Sequence, residues 1–200
     1  MECKRERRKV KRRKRKFTKL LTVCITIGGI YLLWNLASNQ IRSLEIPNKI
    51  YTYLTSKENR INTYNRGIEL NNNSSANTCV YFVAEVLRRN DIDVPIHVAN
   101  TRQLLEVLEH KGWRKDTDYK NLKPGDIAFT TDENGGSHGE PTHTYVFMEW
   151  VGEGSYEYAY ICDNQAKDYD NKIYHIRNIK NVGTANGMSK DAFAFFMKPR

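Results

Sequence analysis

The sequence predicts an α+β fold: helices first, an antiparallel sheet after them, and a single membrane-crossing helix ahead of both. Three observations predict it. Before residue 112 the apolar residues recur at helical spacing. After residue 122 they fall into short runs bounded by Gly, Pro, Asn and Asp. In front of both lies an uncharged stretch, residues 20–37, behind a basic tail. With 200 residues the chain is long enough for one ordinary domain and an appendage.

Taken in order, the first element is the tail, residues 1–19. The chain carries a net charge of +9. The tail holds twelve of the basic residues and only Glu2 and Glu6 against them. The remainder is nearly balanced, so it lacks the cationic field that nucleic-acid binding requires. The stretch from Leu20 to Ala37 matches the roughly 20 residues that cross a bilayer as a helix. Lys and Arg pile up on one side of it only, which places the N-terminus in the cytoplasm and everything after Ala37 outside. Tyr31 and Trp34 stand where an interfacial aromatic belt would lie. A cleaved signal peptide is the rival, but Asn35-Leu36-Ala37 offers a poor cleavage site.

Residues 38–70 read as a stalk, broken early by Pro47, running into a helix that ends near Gly67. Asn71–Ser75 is a polar loop rich in capping residues. Thr78–Asn90 reads as a helix with Val80, Val83, Ala84 and Leu87 on one face. Asn100 or Thr101 caps a second helix with Leu104, Leu105 and Leu108 inward, and Gly112 ends it. Leu122-Lys123-Pro124-Gly125-Asp126 is a turn signal, followed by a strand at Ile127–Thr130. Residues 132–141 form a Gly-rich loop. His143–Val151 and Tyr156–Cys162 are strands joined through Gly152-Glu153-Gly154, a hairpin. Lys172–Arg177 and Ala192–Met197 add further strands.

Cys79 is the leading chemical candidate. It falls in the first turn of its helix, where free N–H groups and the helix dipole favour a thiolate. A thiolate attacks acyl carbons. His143 opens a strand downstream, and Asp163 and Asn164 close the next. Cysteine, histidine and a polar residue in this order can supply nucleophile, base and orienting group. The backbone N–H of Cys79 can contribute to an oxyanion hole. Other readings stand beside this one. Cys79 alone could be a small buried apolar residue. Cys79 and Cys162 share the outer compartment, and a disulfide between them would silence the thiol. His97, His110, His138 and His175 compete with His143, but their positions suit a base less well. Asp126 reads as structural. No Cys/His spacing suggests a zinc site, and nothing calls for a cofactor.

Helix-borne Cys79, the turn and strand Leu122-Lys123-Pro124-Gly125-Asp126-Ile127-Ala128-Phe129, and strand-opening His143 resemble the papain-like NlpC/P60 superfamily, including its CHAP amidase branch. The resemblance covers about residues 75–165. The Asp-Cys-Ser-Gly surround common in NlpC/P60 proteins is absent, and Thr78-Cys79-Val80-Tyr81 is nearer to the CHAP style. The resemblance implies a papain-like domain over residues 71–200. It also implies a cysteine that attacks an amide, a histidine base, and Asp163 or Asn164 orienting it. The implied substrates are peptide or sugar-peptide amides of bacterial peptidoglycan, cut by a membrane-anchored enzyme facing outward. The alternative is a papain-like binding or scaffold domain without turnover.

Overall fold

The computed structural model describes residues 2–131, 141–152 and 154–199, with side chains at 2–21, 23, 39, 40 and 42–44 left outside the description. Most of the expected Gly-rich loop, including His138, therefore lies outside the described residues, as does the side chain of Cys3. Internal contacts divide the chain into two units, Met1–Ile41 and Arg42–Arg200.

The first unit is helical. It belongs to α1 (Glu2–Thr55), on which Ile25, Ile27, Ile30, Leu32, Leu33, Trp34 and Leu36 are all exposed. Among the described residues, no helix is long and apolar enough to cross a membrane. The expected transmembrane helix at 20–37 is thus not found, and residues 20, 21 and 23 of its span fall among the undescribed side chains.

The second unit is α+β, with helices packed on an antiparallel sheet. Its first helical part corrects the expected stalk. Pro47 lies inside α1 and does not end it, and Ile50 and Leu54 are fully buried in the core. The last carbonyls of α1 are taken up by the next helix, α2 (Lys57–Leu70). Asn59 Nδ2 donates to the Tyr53 carbonyl at 2.9 Å, and Arg60 Nη1 donates to those of Leu54 and Thr55 at 2.6 and 3.0 Å. These bonds satisfy acceptors that a helix end leaves free, and they fix the corner between the two helices. Ser56 caps α2 by accepting from the Asn59 N–H.

Helix α3 (Cys79–Arg89) is apolar on more sides than one face requires. Val80, Phe82, Val83, Ala84, Val86 and Leu87 are all buried, because α3 is flanked by α2, the sheet and α4 (Thr101–His110). A helix covered all round reads as continuously apolar. Its one buried acid, Glu85, is held by Arg88 Nε at 3.0 Å and Arg89 Nε at 2.8 Å. Helix α4 starts as its sequence predicts, with Asn100 Oδ1 accepting from the Gln103 N–H.

The six-stranded sheet is antiparallel throughout. Its strands are β1 (Arg114–Asp116), β2 (Ile127–Thr131), β3 (His143–Gly152), β4 (Ser155–Cys162), β5 (Tyr174–Asn178) and β8 (Ala192–Lys198), in the order β1-β8-β2-β3-β4-β5. A separate two-stranded hairpin, β6 (Gly183–Ala185) with β7 (Met188–Lys190), precedes β8. Both faces of the sheet are covered. Ile127, Phe129, Val146, Met148 and Phe195 join the helices in one cluster, while Ala128, Tyr145, Phe147, Ile161 and Phe196 form a second. The alternation along β2 and the first half of β3 follows from the two-residue period of a strand, and an irregularity between Phe147 and Glu149 then brings Trp150 onto the face of Phe147. Leu122, Trp150 and Ile179 help close the second face.

Candidate active site

The loop between α2 and α3 delivers the cysteine. Asn71 Nδ2 donates to the carbonyls of Ser74 and Ala76 at 3.1 and 2.7 Å, folding the polar run back on itself. Asn77 then takes a left-handed conformation with φ of 56°, a region that asparagine tolerates better than most residues. Thr78 follows, and α3 begins at Cys79. The Thr78 hydroxyl does not cap the helix; it donates to the Ser75 carbonyl at 3.1 Å. The first-turn N–H groups are left for other acceptors, the Cys79 sulfur among them.

Cys79 stands beside His143, whose imidazole acts on its thiol by hydrogen bonding and charge. His143 opens β3, and its Nε2 lies 2.9 Å from Asp163 Oδ2. That leaves Nδ1 for the sulfur. Asp163 follows the last residue of β4 and is fully buried. Its other oxygen, Oδ1, accepts the Gln165 N–H at 2.8 Å. Three of the four candidate residues therefore form one chain of contacts. The fourth, Asn164, is adjacent but faces elsewhere: its Nδ2 donates to Thr78 Oγ1 at 3.1 Å. The choice between Asp163 and Asn164 as the histidine's partner falls to Asp163. Asn164 instead braces the residue before the cysteine.

The electrostatics follow from these contacts. Burial alone would raise the Cys79 pKa. The hydrogen bond and charge of His143, with the N–H groups of Thr144 and Val80, outweigh it and hold the thiol below its ordinary range. Burial would likewise lower that of His143, but Asp163 and Cys79 carry it up to about 9. Asp163 has burial pulling it upward, yet His143, with the charges of His175 and Arg177, brings it down to about 2. These contacts favour an imidazolium between a thiolate and a carboxylate over a neutral imidazole beside a thiol. Neither Cys79 nor Cys162 is in a disulfide, so the alternative that would silence the thiol does not hold.

Cys79, His143 and Asn164 border a cleft of about 480 Å³, whose wall also includes Tyr64, Thr142, Lys167, Arg177 and Met188, while Asp163 is buried behind His143. No family model, curated protein or solved structure matches the chain. The site therefore rests on its own geometry.

Several residues at the cleft were not singled out by the sequence. Arg177 is almost fully buried; it donates to the Asp191 carbonyl at 2.5 Å and lies over the Tyr145 ring. Lys190 on β7 is buried and paired with Asp168, which ties the β6–β7 hairpin to the turn after Asp163. The signal for both was a cation at an alternating strand position, visible only once the strand pairing is known. His97 and His110 stay away from the cleft lining, as expected. His175 is not in the lining either, but its Nε2 lies 3.8 Å from Asp163 Oδ1, the oxygen that His143 does not hold. Asp126 is structural, accepting the Lys123 N–H at 2.8 Å.

Proposed function

We propose that the chain is a cysteine hydrolase of amide bonds, with Cys79 as nucleophile, His143 as general base and acid, and Asp163 as the group that orients His143. The observation that carries the reading is the row of side chains from Cys79 and His143, at the wall of a cleft, to the buried Asp163 behind them. In the first step the Cys79 thiolate attacks the carbonyl carbon and a C–S bond forms. The C–N bond then breaks, and the amine leaves with the proton carried by His143. In the second step His143 takes a proton from water, the hydroxide attacks the thioester, and the C–S bond breaks to release a carboxylic acid and the thiolate. The backbone N–H of Cys79 is the first donor for the oxyanion, and Asp163 keeps the imidazole in the tautomer that faces the sulfur.

The papain-like NlpC/P60 reading, nearest to the CHAP style, is favoured by the order of parts: a cysteine at a helix start, then antiparallel strands bearing His143 and Asp163. On that reading the substrate is a peptide or sugar-peptide amide of peptidoglycan. The exposed apolar run on α1, behind a basic tail, supports a membrane anchor with the catalytic unit outside the cytoplasm. The test uses purified cell wall and mass spectrometry of the fragments released. Wild type is expected to release new amine and carboxylate ends, and Cys79→Ala to release none while keeping the same circular dichroism. Equal release by both proteins would remove Cys79 from the chemistry. A well-folded wild type that binds wall without releasing ends would be a binding domain.

A further inference from the structure

Asp163 sits between two imidazoles. Oδ2 is held by His143, while Oδ1, which accepts the Gln165 N–H, also lies 3.8 Å from Nε2 of His175. The second ring is fixed on β5, where His175 pairs with Ile161. Its Nδ1 is 3.0 Å from the Lys172 carbonyl. A carbonyl only accepts, so Nδ1 carries the hydrogen, and Nε2 is the nitrogen that titrates. That Nε2 is buried and has no hydrogen-bond partner among the described residues. Tyr169 covers the ring face to face, with centroids 3.7 Å apart and planes at 15°. In the neutral form, a lone pair on Nε2 points toward a carboxylate. In the protonated form, the same nitrogen presents a cationic N–H at ion-pair distance, 3.8 Å, from Oδ1.

We propose that His175 is a positioning residue for this site: while neutral it leaves Asp163 to His143, and on protonation it competes for the carboxylate and disarms the thiolate–imidazolium pair. This rests on the cysteine-hydrolase reading and adds its regulation by acid. The groups facing His175 are Asp163 at the exit of β4, His143 on β3, Arg177 on its own strand, and Tyr169 and the Lys172 carbonyl in the intervening loop. Burial holds His175 below the ordinary histidine range; Asp163 and the Lys172 carbonyl work against that, and Arg177 and His143 work with it. When acid protonates it, two imidazoliums share one carboxylate. The internal proton transfer then returns the proton from His143 to Cys79, leaving a neutral imidazole and a thiol. His175 touches no reacting atom. Its effect passes through Asp163 and through its charge repulsion with His143.

The experiment measures two pH profiles on the full chain: the rate of Cys79 alkylation by iodoacetamide and the kcat of wall hydrolysis. In His175→Gln, the acid midpoint of both is expected to move down by about half a pH unit or more. Above the wild-type midpoint, kcat should be reduced far less than in Asp163→Asn, and KM should not change. In Arg177→Gln, loss of the opposing cation should move the acid midpoint up. Combined with His175→Gln, that upward move should disappear. His175→Phe, which keeps the stack on Tyr169, serves if the glutamine variant does not fold. An acid midpoint that stays put in both His175 variants, with a uniform fall in rate, would overturn the proposal and leave His175 as packing. Wild-type alkylation that follows an ordinary thiol near pH 8.5 would instead overturn the cysteine-hydrolase reading itself.

Discussion

The two cysteines of the second unit differ in their partners more than in their chain environment. Cys162 is fully buried in the apolar cluster beneath the helices, and burial pushes its thiol far above the ordinary value. Cys79 is also largely enclosed, yet its thiol is held below that value because His143 stands beside it. Chemistry at Cys79 therefore depends on the charge of His143, and that charge depends on Asp163. Asp163→Asn keeps the shape but removes the charge. Burial would then dominate at His143, and its pKa is expected to fall from about 9 toward or below the ordinary histidine value. On the cysteine-hydrolase reading, the active form lies above the lowered pKa of Cys79 and below the raised pKa of His143. The basic limb of the kcat profile should thus move down by one unit or more, with kcat reduced roughly 10²–10⁴-fold at neutral pH. An unchanged basic limb would mean that Asp163 does not set the state of His143. Asn164→Ala makes the contrast at the neighbouring position. It removes only the bond to Thr78, so it should lower kcat less and leave the pH limits in place.

At the scale of elements, the turn before β2 shows how a local motif is tied to a distant one. Gly125 has φ of 91°, and a Cβ built there would stand 1.8 Å from the Pro47 carbonyl oxygen. The same turn is pinned to the sheet, since Gly125 N–H donates to the Phe147 carbonyl at 2.8 Å and Phe147 N–H to the Asp126 carbonyl at 2.9 Å. Gly125→Ala meets backbone strain and a backbone clash together, and should destabilise the fold by more than about 1 kcal/mol in urea unfolding. Asp126, next in the turn, is buried, and burial drives its carboxyl up to about 7 despite the Lys123 N–H. Its folded pKa exceeds its unfolded one, so the folded state keeps the proton longer. Stability contributed here is full below about pH 4 and is lost as the pH rises through about 7. Asp126→Asn, which can still accept from Lys123, should therefore raise Tm at pH 8 and change it little at pH 4. The turn, the helix start at Thr101 and the strands beginning near 127, 143 and 156 were legible in the sequence because an Asn cap, Gly-Asp turns and two-residue alternation are local signals; the start near Cys79 was legible from apolar spacing, since Thr78 makes no cap bond. Three features had no such signal. Strand β1 exists only because it pairs with β8, and Pro47 stays helical because its neighbourhood packs on the Pro-Gly-Asp turn. Likewise, His175 and Arg177 reach the site only through the register that sets them against Ile161 and Ala159. At the strand exit, Asp163 and Asn164 are consecutive and point to different partners, and which one meets His143 depends on how β4 lies against β3.

The whole molecule divides by charge and by polarity along the same line. Residues 1–19 are strongly basic, the following stretch of α1 exposes Ile, Leu and Trp, and the remaining chain is nearly balanced in charge. Cys79, His143, Asp163, the cleft and both apolar clusters all lie within Arg42–Arg200, which has its own core. On the proposed membrane-anchor reading, the exposed apolar surface of α1 would be covered by a bilayer, and the cationic residues at one end would select the side on which it enters. Full-length protein should therefore stay with membranes through alkaline carbonate extraction, while residues 42–200 should be soluble and alkylate at Cys79 with the same pH profile. The proposed orientation is tested with two cysteines that it would place on opposite sides of the membrane. In intact cells stripped of their wall, a membrane-impermeant maleimide should label Cys79 and spare Cys3, and permeabilisation should expose both. Release of the full chain by carbonate would remove the anchor. Labelling of Cys3 before Cys79 would reverse the orientation, and a thiolate facing the cytoplasm would have no access to wall amides.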